Sequence, residues 1–167
     1  MTSGTRTGAV KTGVTTYATP SDREVVVTRV FDAPRDVTFD VWTNPKHVPN
    51  WMTGPEGWTM PVCEIDLRPG GTWHFAWRKA SGEEMDMRGT YREVVPNQRV
   101  VSTETWGPEW PETINTAEFT EKDGRTTITL TIKYPSKEAR DAALKTGMKE
   151  GMDIGFARLD KILKSLT

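Results

Sequence analysis

Between Met60 and Tyr134 the chain changes character at every other residue, and after Ser136 it changes at every third or fourth. "TWHFAWRK" sets Trp73, Phe75 and Trp77 on one face and Thr72, His74 and Ala76 on the other. "MDMRGTYREVV" sets Met85, Met87, Gly89 and Tyr91 against Asp86, Arg88, Thr90 and Arg92. A period of two is the geometry of a strand with one covered face. "MPVCEIDL", "RVVSTETW" and "TINTAEFTEKDGRTTITLTIKY" continue it, with turns at "RPGG", "SGEE" and "PNQ" and a hairpin signal at "KDGR". Together they make a meander of about six strands. Beyond Ser136, a candidate cap, Leu144, Met148, Met152, Phe156, Leu159, Ile162, Leu163 and Leu166 recur at helical spacing. An antiparallel sheet with one apolar face needs a cover, and this terminal helix is the only pattern long enough to supply it.

Upstream, "EVVVTRVFDAP" reads as a strand running into a helix start, with Pro34 in the first turn. In "RDVTFDVWTNPKHVPNWMTGPEGW", Val37, Val41 and Trp42 have helical spacing, Pro45 and Pro49 divide two short helices, and Gly54 and Pro55 end them. Residues 1–22, rich in Thr, Gly and Ser without an apolar period, are expected to be a flexible tail before a single domain of residues 23–167. The expected fold is α+β, with about seven antiparallel strands, two short helices after the first strand and one long C-terminal helix. Gly147, Gly151 and Gly155 interrupt that helix, each at a cost of about 1 kcal/mol relative to alanine. At about 100° per residue, Gly155 falls inside the buried arc, Gly151 at its rim and Gly147 just outside. The first two are therefore expected at the wall of the space beneath the helix.

Composition excludes several classes. Twenty-two basic and twenty-three acidic residues leave a charge of −1, so no field draws the chain to nucleic acid. Cys63 is the single cysteine, which rules out an internal disulfide and agrees with a reducing cytoplasm. The N-terminus lacks the apolar stretch of a signal peptide, and no run of about 18 apolar residues offers a membrane span, so a soluble cytoplasmic protein is expected. His47 and His74 lack partners at ligand spacing, and with one cysteine they predict neither metal nor cofactor. Alternation turns His74 to the outer face, while mid-strand Cys63 reads as a small buried hydrophobe. "RPGG" is a turn rather than a phosphate loop. Among strand carboxylates Glu64, Asp86, Glu93 and Glu104, one turned into a dry space could act as acid or base. Glu93, in phase with Gly89 and Tyr91, and Glu104, in phase with Trp106, lead.

Four stretches carry a family resemblance: "FDAPRDVTFDVWTNPKHVPNWM", "DLRPGGTWHF", "GTYREVVPNQRVV" and "EGMDIGFARLDKIL". From about Val25 to Leu166 the chain resembles the START-like helix-grip superfamily (SRPBCC), and within it the family homologous to the activator of the 90-kDa heat-shock protein ATPase. Members commonly have an aromatic after the glycine of the last motif, where this chain has Met152 after Gly151.

The resemblance implies a cavity between a concave sheet and the long helix that holds a small apolar or aromatic molecule. Residues of the strand region expected to line it are Trp73, Phe75, Trp77, Met85, Met87, Tyr91 and Trp106. Trp42 joins them, and "WMTGPEGW", which carries Trp51 and Trp58, would form a lid at one mouth. Met148, Gly151, Met152, Gly155 and Phe156 would face it from the helix. Three functions follow in order. The first is binding for transport, sensing or sequestration, favoured because the inner face is nearly all apolar. The second is a polyketide cyclase or aromatase-like enzyme using a cavity carboxylate. The third is a co-chaperone partner of the heat-shock protein, ranked last because no separate docking domain fits before residue 24. An exposed edge strand would allow a homodimer.

Overall fold

The computed structural model describes residues 12–167. Eight antiparallel strands form one sheet in the order β1-β2-β8-β7-β6-β5-β4-β3. They are β1 (Thr15–Ala18), β2 (Glu24–Phe31), β3 (Trp58–Ile65), β4 (Thr72–Lys79), β5 (Glu84–Val95), β6 (Arg99–Glu104), β7 (Thr113–Lys122) and β8 (Arg125–Lys133). Strands β3 to β8 are the expected meander. β2 returns to pair with β8 along its whole length, Glu24 opposite Lys133 and Phe31 opposite Thr126.

Two short helices, α1 (Arg35–Thr43) and α2 (Val48–Trp51), fill the connection from β2 to β3. Pro34 stands at the N-cap of α1 in an extended conformation, one residue earlier than the first turn. The hairpin at Lys122–Arg125 has positive φ at both central residues, Asp123 (55°) and Gly124 (77°), the backbone a tight two-residue turn requires.

Two expectations are corrected by the chain's ends. The expected tail is too long, because Thr15–Ala18 pairs with Val26–Arg29 and raises the strand count from about seven to eight. β1 is held mainly by pairing with the neighbouring edge, Tyr17 alone packing against the core, which is why it has no apolar period. The rest of the expected tail, residues 1–11, lies outside the described residues.

The terminal helix is also two helices, α3 (Lys137–Leu144) and α4 (Met148–Leu166). Ser136 caps α3 by accepting from the Ala139 N–H at 3.1 Å, as expected. Gly147 then adopts φ 79°, a left-handed conformation that breaks the helix and starts α4. This glycine is a joint and not an interior helical residue.

The core lies between the sheet and the α1–α2–α4 layer. Phe156 of α4 stacks on Trp42 (5.9 Å between centroids) and Trp51 (6.5 Å), and meets Phe31 edge-on at 5.9 Å. Trp42 and Phe39 in turn contact Phe119 of β7. The nearest helical neighbours of α4 are α2 and α1, so these aromatics form the seam that holds the helix layer together.

Candidate functional site

Strand pairing decides which side chains share the inner face. Trp73, Phe75 and Trp77 of β4 stand opposite Gly89, Met87 and Met85 of β5. Tyr91 stands opposite Ser102 of β6, and Ser102 and Glu104 stand opposite Asn115 and Thr113 of β7. The rings of β4 run in contact, Trp73 to Phe75 at 4.9 Å and Phe75 to Trp77 at 6.1 Å. Trp77 donates its indole N–H to the Met52 carbonyl at 2.7 Å, joining this row to the α2–β3 segment.

Trp73, Phe75, Trp77, Met87 and Tyr91 are buried, whereas Met85 and Trp106 at the end of the row are each 41% exposed. Trp106 stacks on Trp77, 5.7 Å between centroids and 11° between planes. Half-buried Cys63 faces Phe75 from β3, and burial pushes its thiol pKa up to about 11, which silences it as a nucleophile at neutral pH.

Glu104 is the polar group on this wall. Its carboxylate accepts from the Trp106 indole N–H at 2.8 Å and from the Asn115 amide at 2.7 Å. Burial drives its pKa up, against the pull of those two donors. Tyr134, just beyond β8, is raised to about 12 by its own burial and then by the charge of Glu104, and its hydroxyl reaches the Met148 sulfur at 3.8 Å.

Glu93 does not join it. A bulge between Tyr91 and Glu93 adds a residue on β5, so Glu93 turns to the outer face and pairs with Arg99 at 2.7 Å. The strict alternation that set it beside Tyr91 fails at that bulge.

The remaining expected residues fall into two groups. Trp42, Trp51, Gly155 and Phe156 form the α1–α2–α4 seam. Met148 and Met152 are half-buried against the core, as is Trp58, whose ring lies under the Lys79 ammonium at 5.4 Å. Gly151 is exposed, and a Cβ there would meet nothing within 4 Å, so it is not a wall residue. A Cβ on Gly155 would come 3.1 Å from the Trp51 carbonyl oxygen; this glycine admits α2 against α4. The segment after Trp51 is tied to α4 by Arg158, which donates to the Gly54 carbonyl at 2.6 Å.

On the outer face, His74 sits 2.6 Å from Asp86 through Nε2 and 3.7 Å from Glu64 through Nδ1. Partial burial pushes Asp86 upward, but hydrogen bonds with His74 and Arg88 hold its pKa below the usual carboxylate value. A shallow hollow of about 470 Å³ lies beside this cluster, with Glu64, His74, Arg88 and Thr105 among its walls. Alternation placed His74 correctly; its partners come from other strands and have no sequence spacing. Among the described residues no group of three or more His, Cys, Asp or Glu is arranged to hold a metal, and no helix is long and apolar enough to cross a membrane.

Asn115, Tyr134 and Arg29 are inner-face residues that sequence reasoning missed. Each breaks an apolar phase: Asn115 between Thr113 and Ala117, Tyr134 after Ile132, Arg29 between Val27 and Phe31. A polar residue in an otherwise covered phase was the available signal.

A concave antiparallel sheet, two short helices after β2 and a long C-terminal helix laid over the inner face define a helix-grip protein of the SRPBCC type. The chain belongs to the family described as activator of Hsp90 ATPase homolog 1-like protein, whose family model matches residues 32–164. A solved structure of a Rhodobacter sphaeroides protein is similar at TM-score 0.85 and 24% identity, covering 92% of this chain and 100% of that one. One from Mycobacterium smegmatis gives 0.79 and 24%, over 90% and 97%. One from Nitrosomonas europaea gives 0.77 and 21%, over 88% and 97%. At these identities the likeness is one of fold. Among curated proteins none matches the chain.

Proposed function

We propose that this protein binds a small hydrophobic or aromatic molecule against the β4–β5–β6 part of the inner face, under the edge of α4. The observation that carries the reading is the exposed end of the aromatic row. Met85 stays open to solvent beside buried Trp77, although its strand turns it to the covered face, and Trp106, in the bend just past β6, stacks on Trp77 and is as exposed as Met85. Flat rings with an adaptable methionine suit a flat apolar ligand. Family membership agrees with it, because helix-grip domains place ligands between sheet and helix.

The test is titration of a panel of aromatic compounds, followed by tryptophan emission and thermal shift, on the wild type and on Trp77→Ala. Quenching or a blue shift with a raised Tm in the wild type, weakened about tenfold or more in the variant, is expected. No response across the panel overturns the reading. Native mass spectrometry of copurified small molecules would name the ligand.

A second reading, cyclase-like proton transfer, is favoured by the half-buried inner-face carboxyl of Glu104 with its raised pKa. In it Glu104 exchanges a proton with a bound polyketone, and Glu104→Gln abolishes turnover while binding persists. Undiminished turnover in that variant removes this reading.

A further inference from the structure

We infer that the molecule held at this face carries a protonated amine on its apolar body, and that Glu104 is the anion that receives the amine. The inference rests on the binding reading above and names the class of ligand within it. Glu104 is half-buried on the inner face, and both of its hydrogen-bond donors, the Trp106 indole and the Asn115 amide, are neutral. Among the described residues its ion-pair partners include no Arg, Lys or His. Glu93 and Glu118, by contrast, share Arg99, Asp86 has Arg88, and Asp160 has Arg29. Arg29, the buried cation of the same face, is already held by Asp160 at 2.5 Å. Glu104 is therefore a half-buried acid on the inner face for which the described residues provide no counter-ion, whereas the other partly buried carboxylates named above are paired.

Its surroundings suit a cation. Trp106 and Trp77 lie stacked at the rim, and ring faces of this kind attract ammonium groups. A carboxylate offers about four acceptor positions, of which Trp106 and Asn115 use two. An ammonium can thus bond to Glu104 without displacing either neighbour. A hydrocarbon would leave the charge unpaired, and an anion would be repelled by it.

The experiment compares naphthylethylamine with naphthylethanol, equal in shape and different in charge, by calorimetry on the wild type and Glu104→Gln. The amine is expected to bind the wild type about 10- to 100-fold more tightly, the range of one charge-assisted hydrogen bond. In Glu104→Gln the preference for the amine over the alcohol should disappear. Equal wild-type affinities, or an amine preference that survives the substitution, overturn the inference and leave the binding reading standing. Binding of neither compound removes both. Should Glu104→Gln not fold, the wild-type comparison, repeated with the quaternary trimethylammonium analogue, decides alone: a preference for both cations supports the anion, and no preference overturns it.

Discussion

Gly89 shows how a single absent side chain builds the inner face. A Cβ there would overlap the Thr103 carbonyl oxygen and come within 2.6 Å of the Trp73 indole, so the ring lies flat where a side chain would stand. Gly89→Ala must displace the ring or part β5 from β6, and should cost about 1–3 kcal/mol in urea unfolding, the usual range for overpacking. Gly155 does the same for α4. Its alanine variant is tight against the Trp51 carbonyl, and Gly155→Leu should lose the cooperative transition altogether. Retained folding in the leucine variant, read by circular dichroism, would instead return this glycine to the ligand space.

Glu104 makes a prediction at the same scale. Its folded pKa lies above the ordinary 4.5, so its protonated form contributes stability that is complete below that value and is lost as pH rises through the folded pKa. Glu104→Gln removes this loss. The difference in unfolding free energy between wild type and variant should therefore shift in favour of the variant as pH is raised from 4 to 8. A difference that does not move with pH would show that Glu104 is not held in a dry place.

Among elements, the break between α3 and α4 is the one that sequence periodicity could not see. The apolar stripe runs through Leu144 and Met148 without a change of phase, because two helices in near succession on one surface carry the same pattern as one. The turn Lys145–Gly147, closed by the positive φ of Gly147, separates them. Gly147→Ala should cost about 1–2 kcal/mol by thermal unfolding, the penalty of a left-handed L-residue. A stabilising effect would mean that the two helices can fuse into one. β1 was hidden for the converse reason. It is a polar strand held by backbone pairing and by its ends: the Tyr17 hydroxyl donates to Asp153 at 2.8 Å, and Thr15 accepts from Arg29 at 2.6 Å.

Across the whole molecule, one ion pair fastens the sheet to its covering helix. Arg29 of β2 is 6% exposed, reaches Asp160 of α4 at 2.5 Å, and lies over the rings of Phe31 and Phe156. Asp160→Ala leaves a buried cation uncompensated and should cost about 3–5 kcal/mol. Arg29→Met with Asp160→Leu should recover most of it, because the pair's own desolvation is removed as well. Chemical denaturation of the three proteins checks both statements, and a mild effect of the single variant would show that water reaches the pair.

Much of this architecture is legible in the sequence. The period-two segments, the turn residues at Asp123 and Gly124, the cap at Ser136 and the apolar stripe from Leu144 to Leu166 are local preferences, and short-range sterics with burial patterning determine them. The family-like motifs carried the fold as well. The inner face was legible wherever alternation is unbroken, so Trp73, Phe75, Trp77, Met87 and Tyr91 lie where the period put them. What only the tertiary structure decided is which polar groups join them. The bulge after Tyr91 sends Glu93 outward, pairing brings Glu104 to Asn115, and the end of β8 brings in Tyr134, because a strand's register depends on its partner and not on its own residues.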